Sequence, residues 1–133
     1  MAKTILIADD NPTLRKVLCK IFEEEEDFDL CAEAVDGAQA IALAGQCRPD
    51  LIILDLNMPV INGMETARKL KQLMPHVPII VLTIHAESVK NYLLDTNSPF
   101  DLVVSKTEAE NIVNHVRSLM PSSGAAEADS SSD

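Results

Sequence analysis

Apolar residues along this chain fall into two kinds of run, and the two kinds alternate. Five short stretches, residues 4–8, 30–34, 51–54, 79–82 and 102–104, are apolar almost without a break, as in Ile5-Leu6-Ile7-Ala8 and Leu51-Ile52-Ile53-Leu54. A strand with one wet face alternates apolar and polar positions, whereas continuous runs suit strands buried on both faces of a parallel sheet. Between them the apolar positions recur at helical spacing. Asn11-Pro12 opens the first helix, with Asn as cap and Pro in the first turn. Leu14, Val17, Leu18, Ile21 and Phe22 supply its repeat. A second helix starts near Gly37 and stops near Gly45. The third follows Asn62-Gly63, turns Met64, Ala67, Leu70 and Met74 inward, and ends before Pro75. Gly63 is expected to permit the tight turn into it. A fourth helix is predicted over residues 86–94. A fifth, over residues 108–119, carries Ile112, Val113, Val116 and Leu119.

Strict β-α alternation predicts an α/β fold, a doubly wound five-stranded parallel sheet with helices on both faces. The domain occupies residues 1–120, long enough to bury a core without staples. From Pro121 the chain turns to Ser, Gly and Ala with Glu127, Asp129 and Asp133, so residues 121–133 read as a disordered tail or a truncated linker.

Charge narrows the partners. Eleven Lys and Arg stand against 21 Asp and Glu, a formal net charge of -10. Bulk affinity for nucleic acid or anionic membrane needs clustered cations, so direct binding of either is not expected. Glu23, Glu24, Glu25, Glu26 and Asp27 form an acidic block that reads as a solvated face. Cys19, Cys31 and Cys47 make an odd count without a CxxC, and read as reduced, mostly buried small residues of a cytoplasmic protein. The first apolar run is too short for a signal sequence or a membrane span.

Candidate chemistry lies where the strands end. Ligands of open α/β sheets bind beyond the carboxyl ends of the strands. The residues there are Asp9 and Asp10 after the first strand, Asp55 after the third, Thr83 after the fourth and Lys106 after the fifth. A carboxylate such as Asp55, at the end of Leu51-Ile52-Ile53-Leu54, is costly unless it faces charge or water. Crowded carboxylates repel unless a cation joins them, and oxygen donors with retained waters suit Mg²⁺. Asp10 and Asp55 could each give a carboxylate oxygen, the Asn57 backbone carbonyl a third, and Asp9 could act through water. Lys106 could pair with Asp55. Thr83 could bond an oxygen of a phosphoryl group transferred to Asp55, chemistry that depends on positioning and charge stabilisation.

The acidic pair Asp9-Asp10, the stretch Leu54-Asp55-Leu56-Asn57-Met58-Pro59, the stretch beginning Asn62-Gly63-Met64-Glu65, Val81-Leu82-Thr83 and Val103-Val104-Ser105-Lys106 together resemble a response regulator receiver domain of two-component signalling. The resemblance covers residues 3–120. It implies the flavodoxin-like strand order 2-1-3-4-5, which receivers exemplify. It also implies that Asp55 accepts a phosphoryl group from a phosphohistidine on a histidine kinase or histidine phosphotransfer protein. Mg²⁺ (or Mn²⁺) would be held by Asp10, Asp55 and the Asn57 carbonyl. A downstream protein would bind the face made by the fourth helix, fifth strand and fifth helix. The motifs are most similar to receivers that precede a helix-turn-helix DNA-binding domain.

Departures from the family's pattern are local. Thr107 rather than Pro follows Lys106. Val103 stands where many receivers carry a switch aromatic, leaving Tyr92 and Phe100 as candidate substitutes. Ser98-Pro99-Phe100-Asp101-Leu102 replaces the usual Gly-Ala-Asp-Gly stretch. His85 is a candidate neighbour of the site; His76 and His115 read as solvated.

The expected function is therefore a phosphoacceptor switch rather than an enzyme, acting as a single-domain regulator or relay. The alternative is the receiver piece of a DNA-binding transcription regulator. A haloacid-dehalogenase-like phosphatase would need a second Asp at position 57, where this chain has Asn57. A flavodoxin would need a hydroxyl- and glycine-rich phosphate loop where Asp9-Asp10 stands.

Overall fold

A computed structural model describes residues 2–56, 62–84, 86 and 98–119. Residues 87–94 of the predicted fourth helix, Asn57, Met58, His85 and the tail lie outside the described residues, as does Tyr92 within that helix. Strands β1 (Lys3–Ala8), β2 (Phe28–Ala34), β3 (Leu51–Asp55), β4 (Ile79–Thr83) and β5 (Leu102–Ser105) form one sheet in the order β2-β1-β3-β4-β5, all parallel. Helices α1 (Pro12–Glu23), α2 (Gly37–Cys47), α3 (Gly63–Leu73) and α4 (Ile112–Leu119) cover it. Here α4 is the last of the predicted helices.

The continuous apolar runs are explained by two core layers. Leu6, Ala8, Ile52, Leu54, Ile79 and Val81 pack with Ala40 and Ala44 of α2 and Ala67 and Leu70 of α3. Their chain neighbours Ile5, Ile7, Leu51, Ile53, Ile80 and Leu82 pack on the opposite face with Leu18 and Phe22 of α1 and Ile112 and Val116 of α4. Successive side chains thus enter opposite layers, and neither face of a central strand tolerates a polar residue.

The edge strand β2 breaks this regularity. Its pairing to β1 passes from Ile5↔Leu30 to Leu6↔Ala32, skipping Cys31. The bulge reverses the phase of the strand. Phe28 and Leu30 pack in the layer of α1 and α4, Ala34 in that of α2 and α3.

Asn11 caps α1 as expected, accepting from the N–H groups of Thr13 (2.9 Å) and Leu14 (3.2 Å). Val17, a member of the apolar repeat, is 41 % exposed, because the face that meets the sheet centres on Leu18 and Phe22. Helix α2 runs through Gly45 and ends at Arg48, whose φ of 50° takes the left-handed capping conformation. The last helix is split. A 3-10 segment, Lys106–Asn111, precedes α4, with non-helical dihedrals at Glu108. Ser98-Pro99-Phe100-Asp101 is built into the fold. Phe100 is 4 % exposed and packs in the α2–α3 layer. Asp101 Oδ2 accepts from Lys71 Nζ (2.7 Å) and from the Ile79 N–H (2.8 Å).

Three expectations about side chains need correction. Cys31 and Cys47 form a disulfide, with Cα atoms 6.2 Å apart, and only Cys19 is a buried free thiol. A separation of 16 residues carries no signal in sequence; packing α2 on β2 brings the two together. The acidic block is also not merely solvated. Arg117 Nη2 of α4 reaches Glu25 Oε1 (2.8 Å) and Asp27 Oδ1 (2.9 Å). His115 likewise meets Glu108 at 3.2 Å rather than standing alone in solvent. Among the described residues no helix is long and apolar enough to cross a membrane.

Candidate functional site

The carboxyl ends of β1 and β3 lie side by side because Ala8 pairs with Leu54. One residue further on, this register brings Asp9 beside Asp55. A ligand oxygen from each of Asp9, Asp10 and Asp55 lies within 4.8 Å of the others. Asp9 is 1 % and Asp55 2 % exposed, whereas Asp10 faces solvent. Asp55 is the last residue of β3 and pairs with Leu82, so Thr83 stands one step further along the rim. Thr83 in turn pairs with Ser105, and Lys106 follows directly. Lys106 Nζ lies 3.0 Å from Asp55 Oδ1, an ion pair that offsets the cost of burying that carboxylate. Asp9, Asp10, Asp55, Thr83 and Lys106 are therefore brought to one rim. Asn57 and His85 lie outside the described residues.

The backbone around Asp9 is fixed. Its N–H donates to Ala34 O (3.0 Å), and its Oδ1 accepts from the Asn11 N–H (2.8 Å). Burial raises the Asp9 pKa; the Asn11 N–H and the Lys106 charge lower it, and the neighbouring Asp10 charge raises it. Its Oδ2 is buried with no hydrogen-bond partner among the described residues. Crowded carboxylates, all oxygen donors, one of them with an orphaned buried oxygen, fit a hard divalent cation such as Mg²⁺ or Mn²⁺ better than a thiol- or imidazole-loving metal.

Two features escaped sequence reasoning. Arg15 Nη1 donates to Asp9 O (2.8 Å) and its Nε to Glu33 Oε1 (3.1 Å), tying the acidic loop to β2. The bulge at Cys31 puts Glu33 on the α1 side, and nothing in the sequence announces that change of phase. Gly63 matters for a different reason from the expected one. Among the described residues no glycine has positive φ. A Cβ at Gly63 would lie 2.5 Å from Leu56 Cα and 2.6 Å from Asp55 O. The start of α3 presses against the backbone that carries Asp55, and the Gly63 N–H donates to Leu56 O at 2.9 Å.

Known proteins are similar to this chain in sequence and in fold. The family model for the response regulator receiver domain matches residues 5–117. The nitrate/nitrite response regulator protein NarL of Escherichia coli is 38 % identical over 116 residues, covering 80 % of this chain and 54 % of NarL. The transcriptional regulatory protein DegU of Brevibacillus brevis is 33 % identical over 114 residues, covering 85 % of this chain and 48 % of DegU. The chain thus spans about half the length of these curated relatives. In fold, the Salmonella typhimurium RcsB response regulator superposes with a TM-score of 0.80 at 24 % identity, covering 89 % of this chain and 59 % of that one. With the matched residues running from β1 into α4, and with the strand order 2-1-3-4-5 seen directly, the chain belongs to the response regulator receiver domain family.

Proposed function

We propose that Asp55 is a phosphoacceptor that takes a phosphoryl group from a phosphohistidine on a histidine kinase or histidine phosphotransfer protein in the cytoplasm. A carboxylate oxygen of Asp55 attacks phosphorus. The phosphorus–nitrogen bond of the phosphohistidine breaks, and the imidazole leaves with the electron pair and takes up a proton. Lys106 holds the Asp55 carboxylate in place and then pairs with a phosphoryl oxygen. Thr83 donates its hydroxyl to another. Asp10, Asp55 and the backbone carbonyl of Asn57 would hold Mg²⁺ (or Mn²⁺), with Asp9 acting through water. When bound, the ion neutralises charge on the phosphoryl oxygens.

The observation that carries this reading is the buried Asp55 with Lys106 Nζ at 3.0 Å, facing two further carboxylates. A lone structural ion pair would not need those extra acids, which repel each other without a cation. The chain is proposed to turn over no separate substrate; its chemistry is its own phosphorylation and dephosphorylation. An aspartyl phosphate adds about -1.5 to -2 charge if it resembles other phosphoresidues. That change biases the face formed by the predicted fourth helix, β5 and α4 between two arrangements with different affinity for a downstream protein.

The output is proposed to be protein binding by a single-domain regulator or relay. A second reading, a receiver serving a DNA-binding transcription regulator, is favoured by the printed name of DegU, a transcriptional regulatory protein that this chain matches over about half its length. The coding frame around the segment separates the two.

The test is incubation with acetyl phosphate and Mg²⁺, followed by intact mass with and without EDTA. One metal-dependent phosphoryl adduct is expected, absent in Asp55→Asn. An adduct that survives Asp55→Asn, or none while Mg²⁺ binds a folded chain, overturns the assignment.

A further inference from the structure

Two cysteines that the proposed function does not use face each other across the contact between α2 and β2. Cys31 is the residue that the β1–β2 pairing skips. A bulge re-aims side chains, and here Cys31 and its neighbour Ala32 both pack against the α2–α3 layer. Cys47 closes the last turn of α2 and packs against the same layer. Their Cα atoms are 6.2 Å apart, a separation that a disulfide spans without backbone movement, and the structure joins their sulfurs. Both residues are half-buried, so a small oxidant or reductant can approach. Cys19 differs. It is buried on the opposite face, and burial together with Glu33 pushes its thiol up to about 12, which suppresses the reactive thiolate.

We propose that Cys31 and Cys47 are a reversible thiol–disulfide pair, oxidised by a low-molecular-weight disulfide and reduced by a low-molecular-weight thiol, which staples α2 to the edge strand β2. This rests on the cytoplasmic reading proposed above: in a thiol-reducing compartment permanent disulfides are rare, so a bond placed there is one that is made and broken. One cysteine thiolate attacks the small disulfide, breaking its S–S bond and releasing one small thiolate. The second cysteine thiolate attacks the resulting mixed disulfide at the protein sulfur. The Cys31–Cys47 bond forms and the second small thiolate leaves. The two cysteine sulfurs are oxidised, the small disulfide is reduced to two thiols, and the two cysteine protons end on those thiols. The staple joins the last turn of α2 to the middle of β2, and the opposite end of each element leads toward the acidic site. The last residue of β2, Ala34, accepts the Asp9 N–H, and α2 begins from the Asp36 cap two residues later. The cross-link thus fixes α2 against β2, the two elements joined by the turn at Val35-Asp36 beside Asp9.

The full chain, reduced and desalted, is exposed to oxidised glutathione, alkylated with iodoacetamide, and read by intact mass and peptide mapping. Two thiols are expected to vanish together with a loss of two hydrogens. The cross-linked peptide should join Cys31 to Cys47, Cys19 should stay a free thiol, and dithiothreitol should reverse the change. The oxidised chain should melt about 10 °C higher than the reduced one, as expected for closing a loop of this length. Cys31→Ser should lose that difference and accumulate a glutathione adduct on Cys47. Stable glutathione adducts on both cysteines of the unsubstituted chain, unchanged thiols, or a cross-link through Cys19 would each overturn the proposal. The arm on the unsubstituted chain decides this even if a variant fails to fold.

Discussion

At the scale of single residues, Asp9 is poorly accommodated where it stands among the described residues. It is buried, carries an orphaned oxygen, and shares its space with two other carboxylates. Replacing it by the isosteric amide removes a charge without removing volume. Asp9→Asn is expected to weaken Mg²⁺ binding by about 10- to 100-fold, the usual cost of losing a group that supports a metal through an outer shell. Without metal the same variant should melt higher than the parent, because like-charge crowding is relieved. A series of thermal melts across Mg²⁺ concentrations reads both effects. Equal Mg²⁺ dependence in the two proteins would show that Asp9 lies outside the metal's reach. The type of residue was legible here: acids, a hydroxyl and an ammonium at strand ends are visible in the sequence. Arg15 was not, because its partners are a backbone carbonyl and a glutamate placed by a bulge.

At the scale of elements, α3 and β3 are held at the closest backbone approach around the site. Gly63→Ala would place a methyl group 2.5 Å from Leu56 Cα and 2.6 Å from Asp55 O. Neither atom can rotate away, so α3 or the end of β3 must move. Urea denaturation is expected to show a loss of about 1–3 kcal/mol, the range for overpacking a well-filled position. Phosphorylation by acetyl phosphate should also slow, since the moved backbone carries Asp55. Unchanged stability and rate would mean that the contact is looser than the geometry implies. Element types were legible because continuous apolar runs and helical repeats differ in period. Their ends were less so. β3, β4 and β5 each extend by one residue, into Asp55, Thr83 and Ser105, because the sheet ladder continues past the last apolar side chain.

At the scale of the molecule, Arg117 links the end of the described chain to the turn before β2. It reaches Asp27 and Glu25, and its guanidinium lies 5.6 Å from the centroid of the Phe28 ring. The hydrogen bonds from Arg117 hold the Asp27 carboxyl below its ordinary value of 3.8. A carboxylate whose pKa is lower in the folded state contributes stability above its unfolded pKa and loses it as pH falls through the folded one. Arg117→Ala should therefore melt slightly lower than the parent near pH 7, the effect being small because the pair is exposed. The difference should shrink as pH falls below about 4 and vanish below the folded pKa of Asp27. A difference that persists in strong acid would assign the contribution of Arg117 to its contact with Phe28 instead.

What the sequence alone determined was local and periodic: strand and helix identity, the doubly wound class, the Asn11 cap, and the polar residues expected where strands end. Each depends on a residue and its near neighbours along the chain. Tertiary structure decided what depends on register and on distant partners. It aligned Ala8 with Leu54, set Lys106 on Asp55, reversed the phase of β2 at Cys31, and brought Cys47 to Cys31 and Arg117 to Asp27. A shift of one residue in a strand turns its side chains to the other face, so no list of residue types specifies these meetings until the sheet has formed.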